Sequence, residues 1–202
     1  TVFVDGNHEC YPQLYKYPVK EWHGGKVHEI RPSVLHLMRG EIFDIQGKKF
    51  FAFGGARSHD ISDGILDYED EDWRKKAREL ERDGRTMFRV NGLSWWPEEM
   101  PTEEEMQHGI ENLEKVDFKV DYVISHCGPQ SVVSVYSMGK FRPDELTMYF
   151  NGLLDRGLQF KGWIFGHYHA NTTIMGKFYI LYEQISEIEP PKESSFGEIE
   201  EN

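Results

Sequence analysis

Three apolar runs in this chain each stop at a histidine-bearing string, and that repetition limits the fold more than any other feature. Residues 2–4 run into GNHE, with Asn7 and His8; residues 120–125 run into SHCGP, with His126; residues 160–165 run into GHYH, with His167 and His169. Short β-prone runs closed by glycine or polar turn residues read as strands feeding loops. Between the second and third runs, Leu146, Tyr149, Phe150, Leu153 and Leu154 form a helical stripe that Pro143 suits at its start and Gly157 ends. Strand, helix and strand in succession predict an α/β fold class. In such sheets the strand ends aim side chains into a shared crevice. Four histidines and an amide carried to three strand ends therefore make a candidate metal site.

The remaining sequence fills in the frame. Between 27 and 53 the runs VHEI, VLHLM, EIFDI and KFFAF, broken by tight punctuation, predict an antiparallel meander. Residues 54–64 read as a loop and 93–101 as irregular. A charged amphipathic helix is expected over 69–83, with Trp73, Ala77 and Leu80 at helical spacing. Thr102 followed by Glu105 resembles a capping box opening a helix over 103–116. A third late strand is expected over 178–185. Residues 187–202, rich in Glu with two prolines, read as an acidic carboxy-terminal tail after a domain spanning 1–186.

Composition removes several classes of function. The chain has 202 residues and a formal net charge of −12, from 23 basic and 35 acidic side chains. No basic run offsets that charge, so a generic binder of nucleic-acid backbone is excluded and nucleic acid enters only as an ester substrate. With 13 Phe, 10 Tyr and 5 Trp the chain is too aromatic to stay disordered. No apolar stretch approaches the roughly 18 residues of a membrane span. Two cysteines, Cys10 and Cys127, make no disulfide framework and point to a reducing, cytoplasmic setting. The chain opens on Thr1 inside an apolar run, without the pattern of a signal peptide, which suggests that its natural start lies upstream.

The ligand types are chemically coherent. Imidazole suits Zn, Mn, Fe or Ni, and an Asn amide oxygen is a neutral, weaker ligand that tolerates carboxylates supplying the charge. His167 and His169 stand two apart, so a turn after Gly166 would send them to different ions. By composition, GNH[DE] together with GHxH arises by chance on the order of 10⁻⁴. Blander readings stand beside these. Asn7 and His8 could cap a polar turn, and His126 alone would read as a satisfied strand-end histidine. Cys127 reads as a small buried filler, and Cys10 similarly. His59, in RSHD, either approaches the site or sits on a plain loop. Trp95 and Trp96 read as tethers of an irregular segment in preference to the lining of a substrate groove, and His23, His28, His36 and His108 receive no role.

GNHE, SHCGP and GHYH, in that order, resemble the calcineurin-like metallophosphoesterase superfamily. The stretches WHGGKVHEI, HLMRGEIFDI, FGGARSHDISDGILD and FGHYHANT through LYEQI are similar to a small bacterial and phage branch of it, so the resemblance spans residues 1 to about 186. It implies a four-layer α/β/β/α sandwich and hydrolysis of phosphomonoesters or phosphodiesters by a hydroxide bridging two divalent ions, manganese ahead of iron or zinc. Asn7, His126 and His167 would ligate one ion and His169 the other, while His8 would act as acid toward the leaving oxygen or stabilise the transition state. The family's DxH and GDxxD motifs have no counterpart here, since only six residues precede Asn7. The resemblance thus implies an amino-terminally truncated member lacking its first strands, with at most one well-ligated ion, impaired activity and a tendency to self-associate. The alternative is a non-catalytic, protein-binding scaffold of the same fold. An amidohydrolase or deaminase would need strings such as HxE with PCxxC, and none appears.

Overall fold

The computed structural model describes residues 1–188. In chain order the elements are β1 (Val2–Phe3), α1 (Tyr11–Leu14), β2 (Val19–Trp22), β3 (Gly25–Arg31), β4 (Val34–Leu37), β5 (Glu41–Ile45), β6 (Lys48–Phe53), β7 (Gly64–Asp67), α2 (Trp73–Arg82) and β8 (Phe88–Asn91). A 3₁₀ turn at Pro97–Glu99 follows, then α3 (Glu103–Glu114), β9 (Tyr122–Ser125), α4 (Gln130–Ser137), α5 (Glu145–Asp155), β10 (Gly162–Phe165), β11 (Thr172–Ile174) and β12 (Phe178–Ile180). The acidic tail falls almost wholly outside the described residues. Among these, no helix is long and apolar enough to cross a membrane.

The fold is mixed α/β. A four-stranded sheet has the order β1-β4-β3-β2, a six-stranded sheet the order β11-β12-β10-β9-β6-β5, and β7 pairs β8 apart from both. Alternation along the central strands explains how the six-stranded sheet is covered. On β6, Phe51 and Phe53 face a core shared with Leu113, Leu146, Phe150 and Trp163, contributed by α3, α5 and β10. Phe50 and Ala52, one residue out of phase, face Val27, Leu35 and Leu37 of the other sheet. Strand side chains alternate faces with period two, so one apolar run serves two cores.

The antiparallel runs expected within 27–53 form two hairpins, β3 with β4 and β5 with β6. They do not make one meander. The chain crosses between sheets at Met38–Gly40, where Arg39 is buried and Gly40 takes a φ of +78°. Helix α3 carries the Thr102–Glu105 capping box in full. Helix α5 starts later than Pro143 suggests, because Asp144 caps it through the backbone N–H groups of Leu146 and Thr147. The segment beyond Ile180 is not strand, so the expected 178–185 run shortens to β12. Helices α1 and α4 and strands β2, β7, β8 and β11 have no counterpart in the sequence reading.

Candidate active site

Three parallel strands end level with one another. Register pairs Phe53 with Ser125 across β6 and β9, and Ser125 with Phe165 across β9 and β10. Their carboxyl ends launch the loops carrying Ser58 and His59, His126, and His167 with His169. The Gly166 N–H donates to the His126 carbonyl at 3.0 Å, tying two of those loops together. From the other sheet, β1 delivers Asn7 and His8. Gly6 makes that approach possible, because a Cβ there would meet the His126 ring at 3.0 Å.

Asn7, His8, His126, His167 and His169 line one pocket of about 370 Å³, joined by His59 and Asp60. The His126 Nε2 donates to Asn7 Oδ1 at 3.1 Å, and the His126 and His167 rings lie 5.2 Å apart. His167 Nε2 stands 3.2 Å from His59 Nε2. His169 is exposed and stacks on Tyr182 at 4.7 Å. His167 and His169 adopt left-handed backbone, with φ of +66° and +48°. Non-glycine residues held there cost on the order of 1 kcal/mol or more, and such strain clusters at functional sites. The turn sends the two side chains apart while both still line the pocket.

His59 belongs to this group, and the string RSHD left its placement open. Its ring stacks on Phe141 at 4.6 Å as well as meeting His167. The signal that could have found it is the loop's position, directly after a strand parallel to β9. Cys127 is buried in the core, and burial pushes its thiol well above the usual range, as suits a filler. Cys10 differs from the filler reading, being exposed just before α1. Trp95 and Trp96 are partly buried in the segment that carries the 3₁₀ turn.

Electrostatics keep the inner histidines neutral. Burial lowers His126 to about 4, with His8 and His169 adding repulsion. Burial lowers His167 to about 2, reinforced by His126 and His59. Burial also lowers His59. A neutral imidazole is the form that binds a metal ion.

Carboxylates near the pocket are only partly engaged: Asp60 Oδ1 is buried with no hydrogen-bond partner among the described residues. Glu9 accepts from the Gly6 N–H at 3.4 Å, and Asp60 accepts from Arg89 Nε at 2.9 Å and from Nη2. Asp5, behind the pocket, accepts from Arg39 and His36. Among the described residues no three His, Cys, Asp or Glu side chains are grouped as around one ion. Asn7 Oδ1 and His126 Nε2 share a hydrogen bond at 3.1 Å, and an ion held by both would replace the hydrogen between them. The donors thus fit a share of one divalent ion, with His167 beside them, and do not by themselves fit two.

In comparisons with known proteins, no family model matches this sequence, and neither a curated protein nor a solved structure matches it.

Proposed function

We propose that the chain is a metal-dependent phosphoesterase of the calcineurin-like kind, built on a four-layer α/β/β/α sandwich and acting on phosphomonoesters or phosphodiesters. The observation that carries this reading is the meeting of Asn7, His8, His126, His167 and His169, drawn from three separate segments, in one pocket. Two cores, one between the sheets and one beneath the helices, are compatible with that architecture.

Divalent ions bound there would polarise the phosphoryl group and lower the pKa of a water molecule, the chemistry that imidazole and amide donors support. Asn7, His126 and His167 would hold one ion, and His169 would face a second. His8, exposed beside Asn7, can reach a leaving oxygen and hand it a proton, a role worth about 10²–10⁴-fold in rate. The Asn7 amide N–H approaches His8 Nε2 at 3.2 Å; where it donates there, Nδ1 carries the transferable hydrogen. The negative charge of a two-ion centre would come from carboxylates, of which Glu9 and Asp60 line this pocket.

The test is Mn²⁺ titration of the protein with hydrolysis of p-nitrophenyl phosphate and bis(p-nitrophenyl) phosphate. Saturable binding lost in His126→Ala and His167→Ala supports the reading. A protein that binds Mn²⁺ and cleaves neither ester is a scaffold.

A further inference from the structure

Asn7 can serve a cation only if its oxygen, and not its NH₂ group, faces the pocket, and the structure contains a device that fixes which way it points. Glu99 is 1% exposed and stands at the end of the 3₁₀ turn. Its carboxylate takes both hydrogens that Ser58 offers, the backbone N–H at 2.8 Å on Oε1 and the hydroxyl at 2.5 Å on Oε2. With its one hydrogen committed to Glu99, the Ser58 oxygen has only lone pairs left for its other neighbour. That neighbour is Asn7 Nδ2, which donates to Ser58 Oγ at 3.1 Å. The amide is thereby turned so that Oδ1 lies toward His126.

The backbone holds the relay in place. Ala56 N–H donates to the Glu99 carbonyl at 3.1 Å, so the loop after β6 is tied to the 3₁₀ turn two residues before Ser58 as well as at Ser58 itself. Gly55, at φ +86°, permits this approach, since a Cβ there would lie 2.6 Å from the Glu99 carbonyl oxygen. Neither Ser58 nor Glu99 lines the pocket.

We propose that Glu99 and Ser58 are positioning residues that lock the Asn7 side chain with its oxygen toward the site, through the sequence Glu99 carboxylate, Ser58 hydroxyl, Asn7 amide. The inference rests on the metal-site reading for its purpose, but the orientation itself can be measured without metal. Partners that orient ligands typically change metal affinity by about 10–100-fold when removed.

Glu99→Gln is the discriminating variant. Its NH₂ group must meet one of the Ser58 groups; meeting Oγ, it reverses the hydroxyl, which then donates to Asn7 and turns the amide over. Ser58→Ala removes the hydroxyl alone and keeps the test open should Glu99→Gln fail to fold, and Ser58→Thr restores the hydroxyl. The first readout is the Asn7 side-chain NH₂ resonance of metal-free protein. It should move in Glu99→Gln and Ser58→Ala and return near the wild-type position in Ser58→Thr. An unmoved resonance in Ser58→Ala overturns the proposal. The second readout is Mn²⁺ affinity, followed by the electron paramagnetic resonance of free Mn²⁺. Affinity should fall about 10-fold or more in Ser58→Ala and stay within about 3-fold of wild type in Ser58→Thr. Equal affinity in wild type and Ser58→Ala overturns the role toward the ion. A moving resonance in a wild-type protein that binds no Mn²⁺ upholds the lock and overturns the metal reading instead.

Discussion

Arg39→Met probes the buried charge network on which the amino-terminal motif rests. Asp5 is 1% exposed and receives Arg39 Nε at 3.0 Å, Arg39 Nη2 at 2.5 Å, His36 Nε2 at 2.9 Å and the Tyr11 hydroxyl at 3.1 Å. Arg39 also donates to Glu105 at 3.1 Å and to the Glu98 carbonyl at 2.8 Å, so one side chain joins the crossing between the sheets, α3 and the 3₁₀ segment. Unit charges about 4 Å apart attract by about 4 kcal/mol at an effective dielectric of 20. Removing one member of a buried pair costs about 3–5 kcal/mol, because the other charge is left behind. His36 and Tyr11 still serve Asp5 in the variant, so a loss of about 3 kcal/mol is expected at pH 7. For a domain of this size that lowers Tm by about 6–12 °C. Methionine keeps an apolar stem, which limits the packing loss.

The pH dependence carries the sign. In the wild type, burial pushes the Asp5 carboxyl up, but Arg39 and His36 outweigh it and hold the group well below the usual carboxylate range. A depressed folded-state pKa stabilises above the unfolded value, about 3.9, and that contribution is lost as pH falls through the folded pKa. In Arg39→Met burial is opposed by His36 without Arg39, and the folded pKa is expected to rise, above about 3.9 if burial then prevails. The group then favours the fold below about pH 4 and loses that contribution as pH rises through its new pKa. The two proteins should differ most at neutral pH and converge as pH falls through the variant's Asp5 pKa and on below about 3.9. Urea unfolding followed by tryptophan fluorescence, with unchanged slope, measures the gap. A loss below about 1 kcal/mol at pH 7, or a gap that does not shrink between pH 7 and 3, refutes the reasoning.

Four further outcomes are expected. Gly54→Ala places a Cβ 1.9 Å from Asp5 Oδ1 and 2.8 Å from its backbone nitrogen, so it should cost about 3 kcal/mol or more, whereas Gly152→Ala, inside α5 with nothing within 4 Å, should stabilise by about 0.5–1 kcal/mol and raise the melting point by a few degrees. His167→Ala should weaken Mn²⁺ binding more than His59→Ala, and equal losses in calorimetry would remove His167 from the ligand set. In the metal-free protein His126 should titrate near pH 4 by NMR; because the unfolded chain takes up that proton near 6.5 and the folded one refuses it, stability should decline as pH is lowered from about 6.5 toward 4. A midpoint near 6.5 would show that the ring is not desolvated. Thr102→Ala should cost about 1 kcal/mol by chemical denaturation, and Thr102→Ser much less, if the capping box carries the start of α3.

What the sequence disclosed were features written in contiguous residues. A strand followed at once by its chemistry leaves both on the page, so the segments around Asn7, His126 and His167 could be placed at strand ends before any coordinates. The Thr102–Glu105 box is equally local. The antiparallel runs within 27–53 were legible for the same reason. Their division between two sheets was not, because it turns on Arg39, which in the pair Arg39-Gly40 looks like ordinary turn punctuation. Only the presence of Asp5 and Glu105 in space makes that arginine a buried cation.

His28 and His36 illustrate the harder case. They lie directly opposite on β3 and β4, with rings stacked at 5.2 Å, and His36 passes on to Asp5. Leu35 and Leu37 point into the core between the sheets, so alternation assigns His36 to the opposite face, normally the solvated one. The expectation fails because Tyr11 and Tyr15, from a four-residue helix and its cap, pack over that face. A helix that short lacks the repeats that make periodicity visible. Glu99 and Ser58 were hidden in the same way, in an irregular segment and a loop 41 positions apart, where only tertiary structure makes them neighbours. The residues that would carry the chemistry were therefore more legible than those that aim them. Ligands follow their own strand, whereas their supports come from wherever the chain happens to pass.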